Sequence, residues 1–373
     1  MIKRILTFII MIFLFALPVS AHGSQEDFYR EQFDLSGADT LDNSLPDETR
    51  EFLENYGLNP ENENWLSSVT PKNVFSHIGD FLRSGAKSPL VSGGSILAII
   101  LISAALSSME LNSGAAQTAG YATTLTAAAI ITAPVFAVVS ACVKAMQGCA
   151  VFMTAFVPVF AAVVASSGKA ATSFSMSALL LGASQAVSYI SNFVVVPLLG
   201  GYMAISLASS VSPLISRSGI ADGIKKISFW IMSLMTTVFV GILSIQTAVS
   251  ASADTLSLKT AKFIIGSSFP VAGAVLSEAL TTVTASMSML KSTVGVYGVI
   301  ACGAIFLPLL AELLIWRVIL IITASISDLF SLSSISALLR SVDTVMSVIT
   351  GIILLTCAMF ILSITVVITA SRV

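Results

Sequence analysis

Residues 170–216 contain no Asp, Glu, Lys or Arg, an uncharged run of 47 residues. A soluble element of that length would carry charge on its outer face. The hydrocarbon core of a bilayer is about 30 Å thick, and about 20 apolar residues in a helix cross it. Further charge-free runs cover residues 88–109, 111–143, 145–168, 227–253 and 344–371. Only 10% of the chain is charged and 55% is hydrophobic, where soluble domains sit near 25% charged. These figures exclude an ordinary soluble globular protein. They also exclude a disordered chain, which needs low hydrophobicity and high charge. A net charge of -2 implies no basic surface for nucleic acid. Spans in lipid must satisfy their own backbone groups. The reading is therefore an all-α polytopic membrane protein with about six to nine transmembrane helices.

The few charges are unevenly placed. Residues 22–90 carry 13 acidic and 5 basic residues, and residues 91–373 carry 7 and 11. Three parts follow: a signal peptide over residues 1–21, an acidic extracytoplasmic segment over 22–90, and a polytopic membrane domain over 91–373. Lys3 and Arg4 precede an apolar run from Ile5 to Leu17, then Val19-Ser20-Ala21 supplies small residues for a signal peptidase. Cleavage is expected between Ala21 and His22, which starts the acidic segment outside the cytoplasm. Pro89 and Gly93-Gly94 are expected to break any regular element at the membrane boundary.

Within the acidic segment, Ser44 to Tyr56 reads as a helix with carboxylates in its first turn and Gly57 as its C′ residue. Thr70-Pro71 to Arg83 reads as an amphipathic helix at the membrane surface. The segment is either a solvated connector or a docking site for an extracytoplasmic partner.

Charges and breakers divide the rest. Lys144 is read as an outer connection between two spans, and Ser191-Asn192 as the turn of a hairpin inside the longest run. Residues 294–327 are apolar except for Glu312 and Arg317. They read as two short spans joined near those charges, because five residues along one helix would set the two about 140° apart. Basic residues favour the cytoplasmic side. This puts Lys169 and Arg217–Lys226 inside and the acidic segment outside.

Residues 263–277 are too polar and too broken for a straight span. They contain Gly266, Ser267, Ser268, Pro270 and Gly273, followed by Glu278. They read as a broken or re-entrant segment lining a buried cavity, or as an interfacial helix. Gly266, Pro270, Gly273, Glu278 and, downstream, Lys291 are the candidate path or partner contacts. No P-loop, GxGxxG, nucleophile elbow or HExxH occurs. The four cysteines and two histidines show no zinc spacing. No catalytic residue, metal or cofactor is expected.

The run Ser267-Ser268-Phe269-Pro270-Val271-Ala272-Gly273-Ala274-Val275-Leu276-Ser277-Glu278-Ala279-Leu280, with Leu290-Lys291-Ser292-Thr293-Val294-Gly295 after it, resembles the stage III sporulation protein AE family. The signal peptide, acidic leader and Ser/Ala/Gly-rich spans are similar to that family along essentially the whole chain. The resemblance implies a protein of the mother-cell membrane around the engulfed forespore. It also implies partners among the other stage III sporulation membrane proteins, including a secretion-type ATPase and ring-forming components, and a forespore partner. The implied role is a channel or export gate supporting forespore gene expression. A stand-alone secondary transporter and a non-transporting scaffold are the competing readings.

Overall fold

The computed structural model describes residues 33–55, 57–58, 71–108, 113–166, 170–211, 222–245 and 273–369. The described residues are helical throughout, with no strand among them. A 3-10 turn at Ala38–Ser44 and helix α1 (Asp47–Asn55) form the leader. The long helices are α2 (Pro71–Ser108) and α3 (Ser113–Ser166). Next come α4 (Ala170–Ile190) and α5 (Val196–Val211), joined by a π-helical turn at Ser191–Val195. Helix α6 (Asp222–Ile245), α7 (Gly273–Leu329) and α8 (Ser333–Thr369) complete the bundle. Among the described residues six segments are long and apolar enough to cross a bilayer, within the expected range. The chain is an all-α polytopic membrane protein.

Gly57 ends α1 as expected. Its φ of 63° is left-handed, and the Leu58 N–H donates to the Leu53 carbonyl at 2.9 Å. This is the bond pattern that a glycine at C′ permits. Pro71 opens α2, a position where its missing N–H costs nothing.

Four expected breaks are absent. Helix α2 does not stop near Arg83 but continues through Pro89 and Gly93-Gly94. Packing on both sides of the proline holds it. A Cβ on Gly85 would stand 3.4 Å from the Glu312 Cα, and one on Gly93 would stand 2.5 Å from the Ile319 Cγ2, so α2 lies tight and parallel along α7.

Helix α3 runs straight through Lys144. The residues around this lysine include no proline, and its side chain is exposed. A charge that reaches water does not force a turn. The end of α3 therefore lies at the leader's end of the bundle, where Val159 stands 3.8 Å from a Cβ built on Gly37; Lys169, expected inside, lies outside the described residues.

At Ser191–Val195 the helix widens into a π turn and does not reverse. Pro197 explains the site. It has no N–H for the Phe193 carbonyl and its ring crowds that turn, and an inserted residue relieves the clash.

Helix α7 passes through Glu312 and Arg317 without a hairpin. Every residue from Ala311 to Arg317 is a competent helix former. Arg317 is neutralised sideways, its Nε donating to the Asp343 carboxylate of α8 at 3.1 Å. The reversal comes later. Ser331 adopts φ 58°, Leu332 N–H donates to the Ser327 carbonyl at 2.9 Å, and Arg340 bonds Asp328 at 2.6 Å across the turn.

The core is centred on α7, whose residues 290–306 are almost all buried among α3, α8 and the leader. Phe152, Phe156 and Phe160 stack along one face of α3 with ring centroids 5.4 and 5.2 Å apart. The Phe156 ring fits against the bare backbone of Gly298, where an added Cβ would overlap two ring atoms, at 2.3 and 2.5 Å. Gly298→Ala is expected to cost about 1–3 kcal/mol through overpacking. Gly94 has nothing within 4 Å of an added Cβ, so Gly94→Ala should be neutral or stabilising. Thermal unfolding in detergent checks this pair, and equal midpoints for the two variants would contradict the packing assigned to Gly298.

Candidate functional site

Of the residues singled out from the sequence, Ala21, His22, Gly266 and Pro270 lie outside the described residues. Gly273 is the first residue of α7 and Glu278 stands in its second turn. From Gly273 onward the expected broken segment is therefore regular helix. Lys291 lies further along α7 and is 1% exposed. The helix thus joins Gly273, Glu278 and Lys291 on one rod and buries the last of them in the bundle.

The same rod carries a site that the sequence did not advertise. One and a half turns beyond Lys291, the Tyr297 hydroxyl hydrogen-bonds the Asp42 carboxylate of the leader, 255 positions away in the chain. The leader is not a solvated connector. Phe33, Leu41, Leu45 and Leu53 are each at most 5% exposed and belong to the main core. Pro46 meets Gly148 of α3, where a Cβ would stand 2.9 Å from its Cγ. The available signal was the presence of four large apolar residues, Phe33, Leu41, Leu45 and Leu53, inside a carboxylate-rich stretch, since apolar side chains of that size are usually covered.

This docking locates the membrane. Asp34, Asp39, Asp42, Asp47, Glu48, Glu51 and Glu54 belong to the leader, and hydrocarbon does not accept such a density of carboxylates. The lengths of α3 and α7 beside the leader therefore stand outside the bilayer core. A ring of charge marks the boundary. Arg83 and Lys87 on α2 are exposed and flank Gly85, which abuts Glu312 of α7. Lys144 of α3 is exposed and comes near the level of Glu312, because the antiparallel contact of Phe156 with Gly298 sets the register of α3 against α7.

Asp328 and Arg340 mark the other boundary, at the α7–α8 turn. From Glu312 to Asp328 is about 24 Å along the helix, and from Lys87 to Ser108 about 32 Å, at 1.5 Å per residue. The α2 length matches a hydrocarbon layer of about 30 Å, and the α7 length falls about 6 Å short of it. The exposed Leu90, Val91, Leu101, Ile102, Phe136, Val318, Ile321 and Ile322 all fall between these charges. Between the two boundaries on α7 and α8, Arg317 and Asp343 meet as an ion pair, as intramembrane charges generally must.

Hydroxyl groups in the spans are mostly spent on their own helices. Thr123, Thr126, Thr132, Thr154, Ser177 and Thr350 each donate to the carbonyl four residues back. Abundant Ser and Thr therefore do not make a polar path here. A cavity of ≈ 330 Å³ opens where α2, α3 and the α7–α8 turn meet, lined by Ser103, Ser107, Thr124, Ser331 and Ser333 among others. It lies at the end of the bundle remote from the leader. No cluster able to hold a metal occurs among the described residues.

A family model described as stage III sporulation protein AE matches residues 62–371. The chain is 28% identical over 233 residues to the stage III sporulation protein AE of Bacillus subtilis (strain 168), a stretch covering 61% of this chain and 57% of that relative. The aligned part thus spans a little over half of that relative's length. No solved structure matches.

Tyr297→Phe is expected to leave the Asp42 carboxylate without its partner, at about 1–3 kcal/mol. The leader should then be clipped faster by protease while the long helices persist. An unchanged clipping rate would show that this bond does not hold the leader.

Proposed function

The chain belongs to the stage III sporulation protein AE family, and from that premise we propose that it is the export-gate-like membrane subunit of the sporulation apparatus. In this reading it sits in the mother-cell membrane around the engulfed forespore. It works with other stage III sporulation membrane proteins, including an ATPase and ring-forming components. The leader faces the space between the two membranes, and Arg217–Lys226 face the mother-cell cytoplasm, as the positive-inside tendency favours.

The observation that carries this reading is the overrun of the helices. Helix α3 has 54 residues and α7 has 57, about 81 and 86 Å at 1.5 Å per residue. A bilayer core needs about 30 Å. The excess projects on the leader's side as a packed body. That shape suits a subunit that reaches from one membrane toward components assembled against another. Gly266, Pro270, Gly273, Glu278 and Lys291 are assigned to the path or partner contact, and of these Gly273, Glu278 and Lys291 lie along α7.

A non-transporting scaffold is the second reading. The close burial of α7 over residues 290–306 favours it, because a packed axis conducts nothing in this state. A stand-alone transporter gains no comparable support.

In a sporulating host, deletion should arrest development after engulfment with loss of forespore gene expression. Gly273→Leu should reproduce the arrest at normal membrane levels of the protein. Affinity isolation of the wild type should bring the ATPase and ring components with it. Normal spores from Gly273→Leu would remove the assigned contact. Isolation of the protein without the ATPase would remove the export-gate reading.

A further inference from the structure

The ≈ 330 Å³ cavity at the end of the bundle remote from the leader has an unusual wall. Eight of the thirteen described residues that line it carry a hydroxyl, and none of the thirteen is charged. Most hydroxyls in the spans donate to their own helix, and here Thr123 and Thr124 do so too. Ser103 does not. It is 3% exposed and continues the buried stripe of Ile96, Ile99 and Ile100 that α2 turns toward the bundle. Its Oγ has no hydrogen-bond partner. A buried hydroxyl left unpaired costs free energy, so Ser103 marks a place where something further completes the structure.

The opposite wall is the start of α8. The first backbone bond of that helix runs from the Ser336 N–H to the Leu332 carbonyl at 3.0 Å. The N–H groups of Ser333, Ser334 and Ile335 therefore have no carbonyl of their own helix to meet. A Ser, Thr, Asp or Asn in place of Leu332 could cap one of them, and a leucine side chain cannot. Leu332 and these three residues all line the cavity. The positive end of the dipole of a 37-residue helix points the same way. Asp328, the acid at this turn, is already held by Arg340 at 2.6 Å. The turn marks a membrane boundary, so the cavity stands at headgroup level. Leu101, Ile102, Leu125, Leu329 and Phe330 neighbour its polar residues in the chain and are exposed, as side chains in contact with acyl chains are.

We propose that this cavity binds a phosphate group, supplied by a phospholipid headgroup or by free phosphate. The N–H groups of Ser333, Ser334 and Ile335 meet the phosphate oxygens, as the first turn of a helix does with anions. The Ser103 hydroxyl donates from the buried wall, and the exposed Ser331 and Ser333 hydroxyls donate from the rim. No Lys or Arg is among the lining residues, so recognition rests on neutral donors and on the helix dipole. The exposed apolar residues beside the cavity favour a phospholipid as the source, because its acyl chains can lie against them. A bound phosphate ties the end of α2 to the α7–α8 turn. The site stands at the opposite end of the molecule from the leader and does not depend on the export-gate reading.

The test uses the full-length protein, purified in an uncharged maltoside detergent and phosphate-free buffer. Thermal unfolding is followed in three series: with dioleoylphosphatidylglycerol, with dioleoylglycerol, which has the same chains and no phosphate, and with inorganic phosphate. A ligand bound only by the folded state raises the unfolding midpoint as its concentration rises. Phosphatidylglycerol should raise the midpoint and dioleoylglycerol should leave it unchanged. A rise with inorganic phosphate alone would also support the site and make free phosphate its source. Ser103→Ala removes an unpartnered hydroxyl, so its midpoint without ligand should equal or exceed that of the wild type. It should nevertheless need about tenfold more phosphatidylglycerol for the same rise. Gly120→Leu fills the cavity from a glycine whose added Cβ meets nothing within 4 Å. It should fold normally and lose the response. No rise with either phosphate probe overturns the proposal. So does a rise that dioleoylglycerol matches, or one that either variant retains in full, since both are general solvation by lipid.

Discussion

Hydrocarbon does not solvate carboxylates, and the leader carries seven of them between Asp34 and Glu54. Its Phe33, Leu41, Leu45 and Leu53 are nevertheless sunk into the same core as the long helices. Both facts hold only if the helices that receive the leader have left the membrane at that level. The arrangement of α3 and α7 as rods far longer than a bilayer follows from this. So does the placement of Lys144 and Glu312 at a boundary instead of in loops. The leader then has a mechanical role, as the cover on an apolar seam that would otherwise face water. The hydrophobic effect, absent as a drive between helices inside lipid, operates in full at this seam.

Inside the bilayer other forces hold the bundle. Gly93, and Gly85 at the boundary, bring α2 against α7 closely enough for dense van der Waals contact. The Arg317–Asp343 pair joins α7 to α8 where neither charge could stand alone. The two halves of the bundle are thus stabilised differently, by close packing and one ion pair within the membrane and by apolar burial beside it.

The helical membrane class, the α1 stop at Gly57 and the α2 start at Pro71 were legible in the sequence, because each depends on residues close together in the chain; the span number was legible only as about six to nine. The connections were not. Arg317 looked like a boundary because its neutralising partner is 26 positions away, and charge patterns along one segment cannot reveal that. Ser191-Asn192 looked like a turn, whereas Pro197, about one and a half turns later, was the residue that shaped the site. Lys144 marks a connection by charge alone, although nothing around it breaks a helix. The candidate site was half legible. Gly273, Glu278 and Lys291 do lie on one element, but the Tyr297–Asp42 contact joins residues 255 apart, and no local period encodes it.

The central claim is that the bilayer ends at the ring formed by Arg83, Lys87, Lys144 and Glu312, with the leader and the adjoining lengths of α3 and α7 beyond it. Phe136 and Val151 test it on a single helix. Both are exposed on α3, at 73% and 62%, and they lie on opposite sides of Lys144. In intact cells carrying Val151→Cys or Phe136→Cys with the native cysteines replaced, a membrane-impermeant maleimide should label position 151 and spare position 136. Labelling of both positions, or protection of Val151→Cys together with Phe136→Cys, would contradict this placement of the membrane.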